Sequence, residues 1–210
     1  MSEYIYKIIE EGEHEQLDFK FEVNDARKIA ITLASFSNTK GGKLLIGVKD
    51  NGKIKGIKTE EEFYMLDLAA NHFCKPIIKL KYSKWIVEGK TILEADVPEG
   101  IEKPYYAKNE SNKWLAYFRQ DDQNHLANII QLNVWKNYTR NRGILFKYSR
   151  NESKLLNYLA NNESVTLNDF IKLANIQRRT AVNILSKLVS FGLIEIIFLD
   201  GKYNYFLKDL

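Results

Sequence analysis

A cluster of polar side chains near residue 180 has the chemistry for reading DNA bases. Arginine can donate two hydrogen bonds to guanine, glutamine or asparagine can bond adenine, and threonine contacts a phosphate or a thymine methyl group. The chain supplies Gln177, Arg178, Arg179, Thr180, Asn183 and Lys187. Lys202, farther along the chain, adds a cation suited to a backbone phosphate. We therefore expect DNA contact here, although an ordinary solvated helix face has the same composition.

A second candidate site is the glycine-containing segment 37–43. Glycine lets backbone amides approach a phosphate closely, and lysines flank the two glycines. The residues predicted to bind phosphate are Asn38, Thr39, Lys40, Gly41, Gly42 and Lys43. The same residues also fit a helix end followed by a turn into a strand. Both interpretations stay open on sequence alone.

The elements after residue 148 predict how the first cluster is positioned. Apolar residues recur at helical spacing in three segments, and two alternating segments surround an Asp-Gly turn. The predicted helices are 154–161, 166–174 and 177–191, and the predicted strands are 193–199 and 202–207. Three helices followed by a hairpin are the layout of a winged helix-turn-helix domain, whose third helix enters the major groove. Such domains also serve as protein-interaction modules. We predict this domain over residues 150–210.

The residues before position 134 alternate between helical and strand patterns. Asn24 or Asp25 can cap a first helix, and Thr59 can begin a second one that ends before Pro76. Strands are predicted at 43–48, 77–82, 92–97 and 113–118, with an Asn-Gly hairpin at 50–53. We therefore predict an α+β domain with a mixed sheet over residues 1–133. A basic connector, 134–149, follows; the basic residues in and next to it are Lys136, Arg140, Arg142, Lys147 and Arg150.

The composition sets broad limits on function. The 210 residues carry 31 basic and 27 acidic side chains, and a net charge of +4 is too small for nucleic-acid binding by charge alone. One cysteine, Cys74, excludes an intrachain disulfide, and three isolated histidines offer no Cys/His zinc cluster. The amino end lacks a signal-peptide pattern, and no apolar run reaches the length of a membrane span. We expect a cytoplasmic protein that does not bind membranes.

Two motifs in the first domain resemble a known family. Residues 12–20 read Gly-Glu-His-Glu-Gln-Leu-Asp-Phe-Lys, and residues 38–50 read Asn-Thr-Lys-Gly-Gly-Lys-Leu-Leu-Ile-Gly-Val-Lys-Asp. Together they resemble the Schlafen AlbA-type domain, a family of nucleic-acid-binding domains once described as divergent AAA proteins. The likeness continues through Lys-Pro-Tyr-Tyr at 103–106 and Ala-Tyr-Phe-Arg at 116–119. The resemblance adds Lys20 and Arg119 to the residues predicted to contact phosphate.

The resemblance also implies a nuclease alternative. In nuclease members of the family three carboxylates cut RNA such as tRNA with a divalent metal, and the motif places their equivalents at Glu13, Asp18 and Asp50. Such oxygen ligands suit Mg²⁺ or Mn²⁺, which polarise a phosphate and activate water. Asp18 stands where nuclease members usually have glutamate. As surface or turn charges, the three acids would carry no chemistry. An ATP site is not expected, because the chain lacks a P-loop motif.

The leading hypothesis is therefore a DNA-binding transcriptional regulator that acts as a homodimer. The winged helix would contact DNA, and the Schlafen-like domain would supply dimerisation, ligand sensing or a second nucleic-acid surface. One alternative is a Mg²⁺- or Mn²⁺-dependent endoribonuclease, and another is a non-enzymatic protein-interaction module. DNA is favoured as the partner and RNA stays open, while the sequence leans away from an enzyme.

Overall fold

The computed structural model describes residues 2–139 and 149–208. Contacts between residues divide the chain into two compact units, Met1–Ala127 and Asn128–Leu210. No helix in the described ranges is both long enough and apolar enough to cross a membrane. Each unit has its own hydrophobic core, so the two are described separately.

The described residues of the first unit form three helices and eight strands. The helices are α1 (Ser2–Glu11), α2 (Ala26–Asn38) and α3 (Glu61–His72). The strands are β1 (Leu17–Lys20), β2 (Gly42–Ile46), β3 (Cys74–Lys75), β4 (Lys81–Val87), β5 (Lys90–Val97), β6 (Tyr106–Lys108), β7 (Trp114–Gln120) and β8 (Gln123–Leu126). This content confirms the prediction of a mixed α+β domain.

The first of two four-stranded sheets in this unit is mixed, with the strand order β1-β2-β5-β4. β1 runs parallel to β2, with Phe19 opposite Leu45, and α2 is the crossover between them. β5 is antiparallel to both β2 and β4. Side chains of β2 alternate between two faces: Leu44 and Ile46 join the core under α2, whereas Leu45 joins a second core that includes Ile5 of α1.

The second sheet of this unit, in the order β3-β6-β7-β8, lies on the other side of α2. Helix α2 is enclosed because its sequence is apolar on nearly every face after the first turn, with Leu33, Ala34 and Phe36 fully buried. Asp25 caps its amino end by accepting a hydrogen bond from the amide of Arg27, as the capping pattern predicts. This helix therefore fixes the segment 37–43, whose first two residues are the last two of α2.

Several local predictions for the first unit are wrong or incomplete. α1 is missing from the predicted elements, although Ile5 and Ile8 form its buried face. Residues 77–80 lack strand pairing, and β4 begins only at Lys81. The predicted hairpin at 50–53 reduces to a turn closed by one bridge between Val48 and Ile54. Short runs of apolar residues favour strands on propensity alone, but pairing depends on a neighbouring strand.

The second unit begins earlier than predicted. Its helices are α4 (Ile129–Thr139), α5 (Arg150–Leu159), α6 (Leu167–Ala174) and α7 (Arg178–Ser190), and its strands are β9 (Ser164–Thr166), β10 (Ile194–Leu199) and β11 (Lys202–Leu207). The strands form an antiparallel sheet in the order β10-β11-β9. Helices α5, α6 and α7 and strands β10 and β11 lie where the apolar spacing places them, within a few residues at each end, whereas strand β9 was not predicted.

Helix α4 occupies part of the predicted connector. Its residues Ile130 and Val134 are 1% and 4% exposed and belong to the same core as Leu185 of α7. The basic composition of this stretch does not indicate a helix, yet a helix forms here and its apolar side is buried. Lys136 lies in α4 and Arg150 in α5, whereas Arg140, Arg142 and Lys147 lie outside the described residues.

Candidate nucleic-acid interface

Strand β1 shows what the first motif does within the fold. β1 is an outer strand of its sheet, so the backbone groups on its open side need other partners. Glu13 Oε1 accepts a hydrogen bond from the Phe19 amide at 2.7 Å, and Lys20 Nζ donates one to the Phe19 carbonyl at 2.8 Å. Arg119 Nη2 donates to the Leu17 carbonyl at 3.1 Å. Charged side chains of the motif therefore close a sheet edge.

Asp18 forms a buried ion pair with Arg119 of β7. Arg119 Nη2 lies 3.0 Å from Asp18 Oδ1, and the side chains of Arg119 and Asp18 are 1% and 5% exposed. The Lys20 ammonium lies 2.8 Å from the other carboxylate oxygen. The guanidinium also lies 4.9 Å from the centre of the Phe36 ring and donates from Nε to the His14 carbonyl. Arg119, predicted to contact phosphate, is thus a core residue whose charge Asp18 neutralises.

The structure brings Glu13 and Asp18 together and leaves Asp50 apart. Burial raises the pKa of Glu13 above its ordinary value and the Asp18 carboxylate adds to the rise, whereas the hydrogen bond from Phe19 opposes it. Asp50 is exposed in the turn after β2, and no hydrogen bond or ion pair found in the described residues joins it to either acid.

These residues do not fit the metal centre that the family resemblance implies. Both oxygens of Asp18 face cations, Arg119 and Lys20, and one oxygen of Glu13 faces a backbone amide. A divalent cation would have to displace these partners from a nearly enclosed carboxylate. Within residues 2–139 and 149–208, no group of three or more His, Cys, Asp or Glu side chains is placed to hold a metal ion.

The polar side chains of Asn38 and Thr39, in the predicted phosphate cradle (segment 37–43), form hydrogen bonds within the fold. Asn38, 3% exposed, donates to the carbonyls of Tyr105 and Tyr117 and accepts from the Tyr105 amide at 2.7 Å. Thr39 Oγ1 accepts from the Arg119 amide at 2.9 Å. These bonds fasten the end of α2 to β7 and to the residue before β6. Neither side chain is left to contact a ligand.

The two glycines of the cradle are required by packing. A Cβ on Gly41, whose φ is +71°, would lie 2.7 Å from the Val97 carbonyl oxygen, and a Cβ on Gly42 would lie 2.6 Å from the Phe36 ring. The Gly41 amide already donates to the Phe36 carbonyl, as in a helix C-cap. In this structure the segment forms a helix end and a turn, the second of the two interpretations.

The lysines that flank the glycines are paired with acids. Lys40 Nζ lies 2.7 Å from Glu15 Oε2, and Lys43 Nζ lies 2.6 Å from Glu94 Oε1. Glu94, only 4% exposed, also accepts a hydrogen bond from Trp85 Nε1 at 2.7 Å. The predicted phosphate-binding lysines are therefore neutralised within the first unit.

A different group of cations in this unit lies together in one exposed segment. The segment 49–58, named here the lysine loop, carries four exposed lysines and one acid, Asp50; the lysines are Lys49, Lys53, Lys55 and Lys58. No ion pair found in the described residues involves any of the four. The ammonium groups of Lys49 and Lys58 lie 5.6 and 6.0 Å from the centre of the Phe21 ring. The density of lysine in the sequence is the signal for this surface, and the motif-based prediction missed it.

In the second unit the start of α7 is an exposed cationic feature among the predicted DNA-binding residues. Gln177, Arg178, Arg179 and Thr180 are exposed, as is Asn183 one turn later. No ion pair found in the described residues involves either arginine. The exposed side chains therefore form a short polar surface at the amino end of the helix, where the helix dipole also favours an anion.

The rest of α7 is less available than predicted. Lys187 Nζ lies 3.3 Å from Glu152 Oε1, and the Lys187 side chain is 19% exposed. Helix α4 packs along α7, with a hydrogen bond of 3.4 Å from Asn133 Nδ2 to Ser186 Oγ. Lys187 thus joins the internal structure of this unit. Lys202, at the start of β11, is exposed and makes no ion pair that is seen in the described residues.

Comparison with known proteins identifies the first unit. The first unit belongs to the class of mixed α+β domains, and charged side chains lie along its outer strand β1. The model of the family Schlafen, AlbA_2 matches residues 13–128. Because this match covers more than half of the 210 residues, the chain belongs to the Schlafen AlbA_2 family. No curated protein matches the chain.

Two solved structures align with the chain at low identity. The DIP2311 protein from Corynebacterium diphtheriae is 20% identical over 74% of this chain, with a TM-score of 0.45, and the aligned part spans 30% of that protein. The N-terminal domain of an ATP-dependent DNA helicase RecG-related protein from Nitrosomonas europaea is 17% identical over 70% of this chain and 97% of that domain, with a TM-score of 0.42.

Proposed function

We propose that this protein binds nucleic acid as a transcriptional regulator, and that its second unit is a winged helix-turn-helix domain that contacts duplex DNA. One observation carries the proposal: Arg178, Arg179 and Thr180 are exposed together at the start of α7, and neither arginine is paired with an acid of the described chain. Cations that no internal acid neutralises are available for phosphates and for the guanine edge.

The arrangement of elements supports a winged helix. Helix α5, strand β9, helices α6 and α7 and the hairpin β10–β11 follow one another in that order, and β11 lies between β9 and β10. In such a domain the third helix, here α7, enters the major groove by its amino end, and the hairpin reaches the backbone. Arg179, Thr180 and Asn183 then face the bases, while Lys202 faces a phosphate.

Charge arithmetic indicates that a second copy contributes. Three exposed cations on one copy, Arg178, Arg179 and Lys202, would neutralise few phosphates, so the electrostatic contribution of a single copy to duplex affinity would be small. A homodimer doubles the contacts and binds two half-sites. We include the homodimer in the proposal for this reason.

The first unit contributes a second surface through the lysine loop. Its four lysines carry no acidic partner that the described residues show, and Phe21 offers an aromatic ring between two of them. Aromatic side chains next to lysines suit single-stranded or splayed nucleic acid, because bases stack on the ring while the ammonium groups meet phosphates. This surface leaves RNA as well as DNA as a ligand of the first unit.

The proposal is tested by fluorescence anisotropy of the full chain with a labelled random duplex and a labelled structured RNA at two salt concentrations. The double variant Arg179→Ala/Asn183→Ala removes two exposed side chains of α7. Its matched control, Lys154→Ala/Asn157→Ala, removes an exposed lysine and an exposed asparagine of α5. We expect the α7 variant to bind the duplex at least about tenfold more weakly, at about 1–3 kcal/mol per contact. Equal duplex affinity of both variants would remove α7 from the mechanism.

The same samples separate the alternatives. Mg²⁺ is added last and the products are run on a gel, so metal-dependent shortening of the RNA would favour the endoribonuclease and require Asp18 to leave Arg119. Failure of the wild-type chain to bind either nucleic acid would favour a protein-interaction module. Binding that weakens steeply with salt while both nucleic acids stay intact supports the regulator.

A further inference from the structure

The second unit contains a cavity of about 620 Å³ whose charged lining is mostly cationic. Three cations reach it from three different elements: Lys172 from α6, Arg178 from α7 and Lys202 from β11. No ion pair found in the described residues neutralises any of the three. Residues so far apart in the chain share one cavity only because the fold brings them together.

The acid in the lining is already engaged in capping. Asp169 Oδ2 accepts a hydrogen bond from Thr166 Oγ1 at 2.6 Å, and the Asp169 amide donates one to Thr166 Oγ1 at 3.3 Å. These bonds form the N-cap of α6, whose first turn also borders the cavity. The helix dipole adds positive potential there. The cavity therefore keeps an excess of positive charge.

The remaining lining is uncharged and partly aromatic. Tyr203 and the fully buried Tyr205 of β11 border the cavity, together with Ile129 at the start of α4. The Tyr205 hydroxyl accepts a hydrogen bond from Asn128 Nδ2 at 3.2 Å, which fixes this wall. A cavity of this size, with an apolar wall and a few convergent charges, has the features of a small-molecule site.

We propose that this cavity binds a small phosphorylated molecule whose phosphate meets Lys172, Arg178 and Lys202 and whose organic part lies against the tyrosine wall. Phosphate is favoured because one group accepts hydrogen bonds from several cations at once. A phosphate of a DNA backbone offers the same charge, but it joins two sugars of a continuous strand whose bases are paired and stacked in the duplex, so they are not free to lie against the tyrosine wall. Lys172 was not among the residues predicted from the sequence.

A bound ligand would also oppose DNA contact, a consequence that rests on the proposed function. Arg178 and Lys202 border the cavity and also belong to the proposed DNA surface, so a ligand phosphate competes with a DNA phosphate for both. Because coupling between two ligands is reciprocal, DNA would weaken ligand binding by the same factor. The cavity thus provides a regulator with a site for an effector.

The test is isothermal titration of the full chain with inorganic phosphate and, separately, with adenosine 5′-monophosphate. We expect saturable binding of both probes, with the nucleotide bound more tightly because of the tyrosine wall. Lys172→Ala should weaken nucleotide binding about tenfold or more, since it removes a charge-assisted hydrogen bond. The control Lys154→Ala removes an exposed lysine that does not border the cavity and should bind as wild type.

Three results would overturn the proposal. They are no saturable binding of either probe up to about 10 mM, equal affinity for the two probes, or unchanged nucleotide binding by Lys172→Ala. If Lys172→Ala unfolds, Lys202→Ala makes the same test from β11. Duplex binding measured on the same samples distinguishes the two proposals. If the chain binds the nucleotide but not the duplex, the cavity assignment stands and the proposed function fails. If neither free probe binds and Lys172→Ala loses duplex binding, these cations contact DNA instead.

Discussion

Arg119 and Asp18 stand 101 positions apart in the chain and form one buried ion pair, with 3.0 Å between Nη2 and Oδ1. The pair fastens β7 to the outer strand β1. It gives a structural reason for the acid and the arginine of the family motif, because the buried Arg119 would be an uncompensated charge without Asp18, and Asp18 would keep only Lys20 as a counter-ion without Arg119.

Removing one partner of this pair should therefore damage the fold. We expect Asp18→Ala to lower the free energy of unfolding by about 3–5 kcal/mol, because Arg119 is left buried without its counter-ion. Asp50→Ala, at an exposed position of the same proposed carboxylate set, should change it by less than about 0.5 kcal/mol. Urea denaturation followed by circular dichroism measures both. Equal losses in the two variants would contradict the structural role of Asp18.

A comparison of Gly41 with Gly12 distinguishes the stability cost of lost close packing from the cost of an unfavourable backbone conformation. Both have positive φ, +71° and +73°, but an added Cβ meets the Val97 carbonyl at 2.7 Å in one case and nothing within 4 Å in the other. Gly12→Ala should cost about 1–2 kcal/mol for the left-handed conformation alone. Gly41→Ala should cost more, since backbone atoms must move. Thermal unfolding of both variants measures the two losses of stability. Equal losses would show that Gly41 has no packing role.

The Glu152–Lys187 pair predicts a pH dependence for the second unit. Burial opposes the charge of Glu152, but hydrogen bonds from Ser149 and Lys187 outweigh it and lower the pKa of Glu152 below its ordinary value. The ionised carboxylate thus stabilises the fold above the unfolded pKa of about 4.3, and the effect is lost as pH falls through the folded pKa.

Glu152→Gln makes this dependence measurable. At neutral pH the variant should be less stable than wild type, and the difference should shrink as pH falls below the ordinary glutamate pKa of about 4.3 toward the lowered pKa of the folded state. Protection of α7 amides against hydrogen exchange reports on this unit alone. A difference that stays constant from neutral pH to pH 3.5, well below the ordinary pKa of about 4.3, would show that the carboxylate does not titrate as inferred.

The lysine loop should contribute to nucleic-acid affinity, because its four lysines form no ion pair that is seen in the described residues. We expect Lys49→Ala/Lys53→Ala to weaken binding of structured RNA severalfold and to reduce its salt dependence. The control Lys7→Ala/Lys28→Ala removes the same number of exposed cations, but each is paired with a glutamate. Anisotropy at several salt concentrations compares them. If both variants weaken binding alike, net charge explains the effect and the loop has no special role.

Local signals in the sequence predicted much of the secondary structure. Asp25 caps α2 as predicted, because a capping side chain needs only residues within one turn. The apolar spacing from Leu155 to Leu188 likewise placed the later helices. α1 was missed because its glutamates obscured the short apolar stripe of Ile5 and Ile8.

The site could not be predicted to the same extent, since it depends on partners far along the chain. Whether Lys43 meets a phosphate or an acid is decided by Glu94, 51 residues away, and the role of Arg119 by Asp18. Gly41 is needed equally by an anion cradle and by close packing, so the residue type cannot separate them. Lys172 enters the cavity only through the folding of α6 against β11.

The central claim is that the start of α7 contacts DNA, and a salt titration of duplex binding by wild type and Arg179→Ala tests it most directly. The logarithm of the association constant should fall linearly with the logarithm of salt concentration, by about 0.9 for each phosphate contacted. We predict a steep slope for wild type. If Arg179 contacts a phosphate, the slope of the variant should be smaller by about 1. The variant should bind the duplex more weakly whether Arg179 contacts a phosphate or a base. A flat slope for wild type, or identical curves for the two proteins, would contradict the account.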